Sequence, residues 1–341
     1  MAEQKVMTMK DIAKMLNVSV ATVSRALKDS PNISREQREK IQKFAREHNY
    51  YPNVLAEQLR HTRTTPIKMI GVIIPEFVHY YFSSVLSGIE KEANRLGYRI
   101  MVAQSAEQYD REVEICESFL QMKVCGVIVS QAKDTKKYDH FHRLIDSGVP
   151  LVFYDRICAD INCNRVVVDD YMGSYNAVAY LIERGARRVA YFGTDMDLEI
   201  GKNRYNGYVD ALHKHGLKVD EQLVKFCDSG AQAELVTPGI ISMRNRPDAI
   251  FTVNDDTAIG VLHTVKRMGY RVPDDVMICG FTNGIRAVSC DPMLTTVEQR
   301  GVEVGRQAVQ ILVDRLNGNH PIDHVEKRIV KTRLVVRGTT R

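Results

Sequence analysis

Residues 8–25 contain the side chains whose types and spacing point most directly to a chemical role. Thr8 and Ser19 stand where a hydroxyl can cap the start of a helix, and Asp11 follows Thr8 at the spacing of a reciprocal cap. Asn17 lies between the two segments, and Asn tolerates the positive φ that a tight reversal needs. The spacing therefore predicts two short helices joined by a tight turn.

The second of these helices has an inner and an outer face. Helical periodicity turns Val23 and Leu27 towards a core. The outer face is left with two small apolar side chains, a hydroxyl and a guanidinium: Val20, Ala21, Ser24 and Arg25. A helix with such a face can lie in the major groove of double-stranded DNA.

A third helix is predicted from Ser34, which forms an S-x-x-Q capping box with Gln37. Side chains that could close a three-helix core recur with helical spacing at Ile41, Phe44, Ala45 and His48. Pro52 ends this element, and Asn53 can cap a further piece over residues 54–60. Because that piece has only about two turns, it is marginal in water and is expected to order only when docked.

Positive charge is concentrated at the same end of the chain. Residues 1–65 hold 12 Lys and Arg against 7 Asp and Glu, a net charge of +5, which equals the formal net charge of the whole chain. A polyanion would therefore be drawn to this end, with strong salt dependence. A charge run alone favours a solvated helical face, but its coincidence with the turn motif favours DNA binding.

Length and composition indicate the class of protein. The 341 residues, 44% hydrophobic and 26% charged, predict a globular chain of two or more domains. No apolar run of about 18 residues is present, so no membrane partner is expected. The charged N-terminus lacks the apolar core of a signal peptide, so we expect a cytoplasmic protein.

Cysteine and motif usage point away from metal sites and enzymes. The seven cysteines are odd in number and lack C-x-x-C spacing, which predicts free thiols in a reducing compartment. Cys158 and Cys163 lack paired ligands at zinc spacing, so we expect no metal and no cofactor. The sequence contains no G-x-x-x-x-G-K-[ST], G-x-S-x-G or H-E-x-x-H motif, and no catalytic residues are expected.

From residue 66 onwards, strand-like runs alternate with amphipathic helices. The first strands are predicted at residues 68–74, 98–104, 124–130 and 151–154. The rhythm restarts near residue 165, and GIEKEANRLGYRI in the first half has a counterpart in GYVDALHKHGLKV in the second. The expected fold class is an all-α head followed by an α/β body of two similar lobes with parallel sheets. A cleft is expected at the carboxyl ends of the strands.

These features together resemble one family. Residues 8–25, and NVLAEQL at residues 53–59, are similar to the head and hinge of the LacI (lactose and galactose repressor) family of bacterial transcription regulators. The segments YLIERGARRVAYFG, RPDAIFTVNDDTAIG, RVPDDVMICGF, PMLTTVEQ and RLVVRGTT resemble its effector domain, which is like the periplasmic sugar-binding fold. The resemblance spans essentially the whole chain. It implies a helix-turn-helix head in residues 1–52, a hinge helix and linker in residues 53–65, and an effector-binding and dimerisation domain in residues 66–341.

The resemblance also implies that the chain crosses between the lobes three times. The crossings are expected near residues 162–165, 291–294 and 320–324. The first lobe would then comprise residues 66–163 and 294–322, and the second lobe residues 164–292 and 323–341.

By the same resemblance, hydroxyl and amide side chains of the head contact or flank DNA phosphates: Thr8, Ser19, Thr22, Ser24, Asn32 and Ser34. Val20 and Ala21 would offer only apolar contact to base edges, for example to thymine methyl groups. Arg25 is suited to bidentate recognition of guanine.

The segment after the third helix completes the implied DNA-binding set, with Tyr50 and Asn53. Leu59, with Ala56 beside it, resembles the wedge that unstacks a base step in the minor groove and kinks the duplex. The alternative for Leu59 is packing against the hinge helix of a partner subunit. The two roles are compatible, because two hinge helices must pack together for their wedges to meet one step.

The implied effector cleft consists of polar, aromatic and apolar residues in both lobes: His79, Tyr81, Phe82, Val85, Asp155, Arg204, Asn254, Thr282 and Gln299. A carboxylate, an arginine, an amide and aromatic rings suit a polyhydroxylated ring, which needs hydrogen bonds at its edge and stacking on its face. Arg204 is expected at a helix start that aims it into the cleft, whereas Asp155 and Asn254 have the alternative of loop polar groups or helix caps. Thr282 stands where many relatives have an acidic residue.

The implied function is a sequence-specific repressor whose affinity for a pseudo-palindromic operator is controlled by a small molecule, a sugar or sugar derivative. No leucine heptad follows RLVVRGTT, so a homodimer is expected rather than a tetramer. Alternatives are control by a purine-like metabolite or by a protein co-effector. A sugar-binding protein without a DNA role is disfavoured by the head.

Overall fold

The computed structural model describes residues 7–50, 68–319, 321 and 324–341. The chain divides between residues 67 and 68 into two compact units, here called the head and the body. Among the residues described, no helix is both long enough and apolar enough to cross a membrane, and no three metal-ligating side chains cluster.

The described part of the head forms three helices: α1 (Met9–Met15), α2 (Val20–Leu27) and α3 (Arg35–Glu47). The predicted caps are confirmed. The Thr8 hydroxyl accepts the Asp11 N–H at 3.3 Å, and the Asp11 carboxylate accepts the Thr8 N–H at 2.9 Å. Ser19 caps α2 through its hydroxyl. The Ser34 hydroxyl likewise caps α3 by accepting the Gln37 N–H at 3.3 Å, which is one half of the predicted capping box. Asn17 has φ 51°, as the tight reversal requires.

The core of the head contains buried side chains from all three helices: Ile12, Ala13, Val23, Ala26, Ile41 and Ala45. Gln42 joins α3 to α2, since its Nε2 donates to the Ala26 carbonyl at 2.9 Å. The prediction that His48 faces the core was wrong. Helix α3 ends at Glu47, and the exposed His48 ring stacks on Phe44 with ring centroids 4.0 Å apart.

The described body contains two six-stranded sheets with the same order of strands. The first sheet has the order β2-β1-β3-β4-β5-β11, and the second has the order β7-β6-β8-β9-β10-β12. The strands of the first sheet are β1 (Met69–Ile74), β2 (Arg99–Gln104), β3 (Gly126–Val129), β4 (Leu151–Tyr154), β5 (Asn164–Val168) and β11 (Lys327–Val330). The strands of the second are β6 (Val189–Gly193), β7 (Val224–Phe226), β8 (Ala249–Thr252), β9 (Met277–Thr282), β10 (Thr295–Glu298) and β12 (Arg333–Val335). All neighbouring strands are parallel except β12, which runs antiparallel to β10.

Helices cover these sheets, as the alternating pattern predicted. The helices of the first half are α4 (Tyr80–Arg95), α5 (Tyr109–Gln121), α6 (Asp139–Asp146) and α7 (Asp170–Glu183). Those of the second half are α8 (Glu199–Lys214), α9 (Gly230–Ile241), α10 (Asp255–Arg267), α11 (Ile285–Ser289) and α12 (Gly301–Leu316), with a short 3₁₀ turn at Glu221–Leu223. The central strands β3, β4 and β8 are buried throughout. The predicted fold class is confirmed.

The chain crosses between the lobes later than the sequence indicated. Strand β5 pairs with β4, so it belongs to the first lobe, and β10 pairs with β9 in the second. The crossings lie at residue 169, residues 299–300 and residues 331–332, so the predicted lobe boundaries were wrong by several residues. Each crossing follows a strand because the hydrogen-bonded neighbour, which the sequence does not reveal, decides which sheet a strand joins.

Helices α4 and α12 pack closely against each other. A Cβ built on Gly88 would lie 2.1 Å from the Val302 carbonyl oxygen, and one built on Gly305 would lie 2.1 Å from the Val85 carbonyl oxygen. Only glycine permits this approach. Val85 has no exposed surface and belongs to the core of the first lobe. Tyr81 and Phe82 belong to the same core, so the assignment of Val85 to the effector cleft stays a prediction.

Candidate DNA-reading surface and effector cleft

The predicted base-reading residues of the head lie on the solvent face of α2. Val20, Ala21 and Arg25 are exposed and Ser24 is half-buried, whereas Val23 on the inner face is fully buried. The helix therefore packs by one face and leaves the other open, which is what a helix entering the major groove needs.

The hydroxyls predicted near phosphates lie at helix N-termini. Thr8, Ser19 and Ser34 are the capping residues of the three helices, and the Thr22 hydroxyl lies 2.8 Å from that of Ser19. Asn32 is exposed just before α3. Helix N-termini present N–H groups and partial positive charge, so these positions suit contact with an anion.

The structure describes only one of the implied DNA-binding residues that follow the third helix. Tyr50 is half-buried and packs against the core of the head. The predicted hinge over residues 53–65, with Asn53, Ala56 and Leu59, lies outside the described residues.

On the first lobe, predicted cleft residues lie where α4 begins after β1. His79 precedes α4, but its ring makes no capping hydrogen bond, and burial lowers its pKa. The rings of His79 and Phe82 lie 5.4 Å apart. Tyr81 is only 3% exposed, and a hydrogen bond from its hydroxyl to Asp155 lowers the pKa of that carboxyl.

Asp155 marks where the two lobes face each other. It follows β4, is buried, and has φ 58°. Burial raises its pKa, whereas the charges of Arg156, Arg204 and His79 lower it. Arg204 belongs to the second lobe and His79 to the first, so Asp155 lies within electrostatic reach of both.

Arg204 is held by several contacts and is only 4% exposed. It lies in the second turn of α8, not at its start as predicted, because the helix already begins at Glu199. Its Nε and Nη2 lie 2.8 Å and 2.7 Å from Asp170 Oδ1, and its Nη1 donates to the Val253 carbonyl. The guanidinium carbon lies 3.9 Å from the centre of the Phe281 ring. These contacts fix its position before any ligand binds.

The remaining predicted cleft residues follow strands of the second sheet. Asn254 caps α10, since its Oδ1 accepts the Thr257 N–H at 2.8 Å and its Nδ2 donates to the Asp228 carbonyl at 2.7 Å. Thr282 ends β9 with φ 146°, and Gln299, at the second crossing, is 3% exposed. The Asn254 side chain therefore has the capping role that was the alternative to ligand binding.

Several of the buried polar atoms without a hydrogen-bond partner in the described part of the chain lie near the carboxyl ends of the strands. They belong to His79, Ser105, Ser130, Gln131 and Tyr154 in the first lobe, and to Tyr191 and Thr282 in the second. Arg204 and Asp170 both influence the pKa of Tyr81 and that of Tyr191, so these two phenols lie in one region. An unpartnered buried polar atom costs free energy, so the region is suited to a ligand that supplies the missing partners.

Strained backbone accompanies these groups. Asp155, Thr282, Asn283 and Arg300 have φ values of 58°, 146°, 62° and 55°, and each lies beside a strand end or a crossing. Such conformations cost about 1–3 kcal/mol each and cluster at functional sites. The strain therefore supports placing the site at this edge of the sheets.

The charged partners that organise the cleft were missed by sequence reasoning. Arg156 lies 2.6 Å from Glu107, and Lys133 lies 2.7 Å from Asp228 in the other lobe. The partners are 49 and 95 residues apart in the chain, so no local spacing reveals them. The available signal was that Glu107, Lys133 and Arg156 each follow a predicted strand.

A cavity of about 560 Å³ opens beside Asp228. Its lining combines one lysine of the first lobe with residues at or after the ends of β6 and β7: Lys133, Gly193, Thr194, Asp195, Met196, Phe226, Cys227, Asp228 and Gln232. None of the predicted cleft residues lines it. The cavity volume lies within the range of small-molecule pockets, about 300–1,000 Å³.

Comparison with known proteins places both units. The model of bacterial regulatory proteins of the lacI family matches residues 8–53, and the model of the periplasmic binding protein-like domain matches residues 178–340. The transcriptional repressor CytR of Escherichia coli strain K12 is 30% identical over 335 residues, which cover 98% of this chain and 96% of CytR.

Solved structures share the fold over the same extent. The lac repressor dimer bound to operator and the anti-inducer ONPF matches with a TM-score of 0.85 at 22% identity, covering 98% of this chain and 99% of that one. The regulator CelR in complex with cellobiose matches with a TM-score of 0.75 at 24% identity and the same coverage. The chain therefore belongs to the LacI family of bacterial regulatory proteins and is a DNA-binding transcription regulator, not an enzyme.

Proposed function

We propose that this protein is a cytoplasmic, homodimeric repressor whose affinity for operator DNA is set by an uncharged polyhydroxylated effector, a sugar or sugar derivative, bound between the lobes. The observation that carries the proposal is the group of buried, unpartnered hydroxyl, amide and imidazole atoms at the strand ends of both lobes, as found in the described residues. Sugar hydroxyls both donate and accept, so one ring can satisfy several such atoms.

The charges of the cleft favour a neutral effector. Its cations already have carboxylate partners within 2.7 Å, in the pairs Arg156–Glu107, Arg204–Asp170 and Lys133–Asp228. A phosphate or a carboxylate would need a cation free to form a charge-assisted pair. The CelR structure with cellobiose has the same fold, which supports a sugar.

On the DNA side, we propose that α2 enters the major groove and that Arg25 reads guanine. Val20 and Ala21 would make apolar contacts with bases, while the capping hydroxyls would contact phosphates. Leu59 of the hinge would act as the minor-groove wedge. Two heads on a dimer would then require a pseudo-palindromic operator.

An exposed apolar surface on the body supports the homodimer. Val78 is 91% exposed and Ile285 63%, and Phe77, Tyr80 and Val288 are exposed beside them. The two lobes bring these residues together, since a Cβ on Gly284 would lie 3.2 Å from the Tyr80 ring. Apolar surface of this kind marks interaction sites. Val78→Glu with Ile285→Glu should yield monomers in sedimentation velocity; unchanged dimers would place the interface elsewhere.

Effector binding would change how the lobes meet, and through the dimer would change the spacing of the two hinges. A coupling of about 1–3 kcal/mol would alter operator affinity by about 5–150-fold. The effector can shift the equilibrium only by its preference for one arrangement of the lobes.

A thermal-shift screen tests the proposal, because a ligand that binds the native state raises its melting temperature. The panel contains neutral monosaccharides and disaccharides, nucleosides, nucleobases, sugar phosphates and uronic acids. We expect a neutral sugar to bind and to alter operator affinity. Stabilisation by anionic sugars alone, by nucleobases alone or by no compound would contradict the proposal.

Two buried tyrosines make a matched pair for this screen. Tyr81→Phe removes a hydroxyl that hydrogen-bonds Asp155 between the lobes, so effector affinity and stability should both fall. Tyr208→Phe removes a hydroxyl that donates to the Val189 carbonyl at 2.9 Å, so stability should fall while effector affinity stays unchanged. Equal effector affinity in both variants would remove Tyr81 from the site.

A further inference from the structure

The cavity beside Asp228 continues the cleft along the second sheet. Thr282 ends β9, Asn254 follows β8, Thr194 follows β6 and Asp228 follows shortly after β7, in the order in which these strands pair. Neighbouring strands lie about 4.8 Å apart, so the row formed by the ends of β9, β8, β6 and β7 spans about 14 Å. A row of that length exceeds one sugar ring.

Two observations connect this outer cavity with the inner cleft. The Asp228 carbonyl accepts a hydrogen bond from Asn254 Nδ2 at 2.7 Å. The charge of Arg156 acts on Asp228 and also on Asp155, which faces Arg204. The cleft around Asp155 and the cavity beside Asp228 therefore have neighbouring residues in common, and these residues come from both lobes.

The lining of the cavity has the chemistry of a sugar subsite. Phe226 is 60% exposed, so it offers a face on which a ring can stack. Asp195 and Asp228 provide carboxylates, and Gln232 provides an amide. Carboxylates accept hydrogen bonds from vicinal hydroxyls and repel an anionic group.

The Lys133 ammonium forms an ion pair with Asp228 that a bound ligand could replace. Its Nζ lies 2.7 Å from Asp228 Oδ2, and its side chain is 37% exposed. Its backbone N–H donates to Glu107 Oε2 at 2.9 Å, which fixes the base of the side chain and leaves the ammonium able to move. The Thr194 hydroxyl holds the same Asp228 oxygen at 2.6 Å from within the second lobe. Asp228 would thus stay in place if Lys133 left.

We propose that the effector is the size of a disaccharide and that its second ring enters this cavity, stacks on Phe226 and replaces the Lys133 ammonium on Asp228. The inference rests on the proposed function, and it assigns a length to the effector as well as a chemical class. It also makes the Lys133–Asp228 pair a link between the lobes that binding of the second ring would open.

Isothermal titration with matched probes tests the inference on the full-length protein. Cellobiose, maltose and lactose are compared with their component rings, glucose and galactose, and cytidine serves as a ring joined to a base. We expect one disaccharide to bind at least about tenfold more tightly than its own single ring. Asp228→Asn should remove about tenfold from disaccharide affinity while leaving single-ring affinity unchanged, because it weakens hydrogen bonds to a charged group.

A pair of lysines in one loop provides the control. Lys133→Met should raise disaccharide affinity, since it frees Asp228. Lys136 also forms a pair across the lobes, 2.7 Å from Asp197, but it does not line the cavity, so Lys136→Met should leave affinity unchanged. Both lobes keep their cores in these variants, because both lysines are partly exposed.

The outcomes separate this inference from the proposed function. If single rings bind as tightly as disaccharides, or if Lys133→Met and Lys136→Met have the same affinity for the disaccharide, the cavity beside Asp228 does not bind a second ring. The proposed sugar site in the cleft would still stand. If cytidine, and not a disaccharide, binds more tightly than a single sugar ring and loses that affinity in Asp228→Asn, the second ring is not a sugar. If no neutral sugar binds, both proposals fail.

Discussion

The head and the effector cleft place their proposed contact residues in opposite environments. Val20, Ala21 and Arg25 are exposed on α2, and the caps that hold this helix reach only three residues along the chain. Asp155 and Arg204 are each 4% exposed, and Arg204 is held by residues 34 and 49 positions away. Recognition and stability are therefore separable in the head and coupled in the cleft.

Exchanging one arginine in each unit tests this difference most strongly. Arg204→Ala leaves the buried Asp170 without its partner, which should lower the free energy of unfolding of the body by about 3–5 kcal/mol. Arg25→Ala removes an exposed side chain and should leave stability unchanged. Urea unfolding at pH 7 measures both.

Asp170→Asn in the Arg204→Ala background separates the cause of this loss. The amide is uncharged, so the double variant should regain part of the lost stability while the effector response stays absent. Equal stability of the two single variants would mean that the cleft is no more coupled to its fold than the head is.

A buried acid of the body should also make the free energy of unfolding depend on pH. Asp255 is buried at the start of α10, and burial raises its pKa to about 6. The unfolded value is about 3.9, so the folded state binds this proton more tightly. The stability that this group contributes is complete below about pH 4 and is lost as the pH rises through 6, a difference of up to about 3 kcal/mol.

Asp255→Asn removes this titration while keeping the hydrogen bonds. The amide can accept the Gly284 N–H and donate to the Thr296 hydroxyl, which are the present partners of the carboxylate. The difference in the free energy of unfolding between the variant and the unsubstituted protein, measured in urea, should therefore grow in favour of the variant as the pH rises from 4 to 7. Parallel pH profiles would show that this buried acid does not titrate as its surroundings indicate.

The same contrast explains how much the sequence could reveal. The caps and the reversal at Asn17 depend on neighbours within three residues, and all were predicted. The alternation of strands and helices was also predicted, because burial repeats with a fixed period. Helix α9 was not, since it contains Pro238 and is apolar on most sides.

Non-local pairing accounts for the errors in the body. Strands β11 and β12 carry little periodic signal, and the pairing of β5 with β4 decided the first crossing. Chemically suitable side chains were found at strand ends, but their fates depended on distant partners. Asn254 became a helix cap that holds Asp228, and Arg204 was placed in the second turn of its helix.

In the head, a substitution on the DNA-facing surface should change base preference without changing the fold, unlike a substitution in the effector cleft. Arg25→Ala should reduce discrimination between operator and mismatched DNA by about 1–3 kcal/mol, the range of a bidentate contact to guanine. Lys10→Ala, also exposed, should weaken binding to all sequences alike and reduce the salt slope by about 1. Competition binding at several salt concentrations distinguishes them, and equal loss of preference in both variants would refute the role of Arg25.

The smallest expected effect lies at Ser19, where one hydroxyl is proposed to serve both the fold and DNA. Its Oγ accepts the Thr22 N–H at 3.0 Å, so Ser19→Ala should cost about 1 kcal/mol, seen as faster amide hydrogen exchange in α2. Ser19→Asp keeps a good cap but adds a negative charge where a phosphate is expected, so exchange should stay slow while DNA affinity falls. If Ser19→Asp instead loses protection and keeps its affinity for DNA, the hydroxyl serves the fold alone, and the contact residues of the head are fully separate from its scaffold.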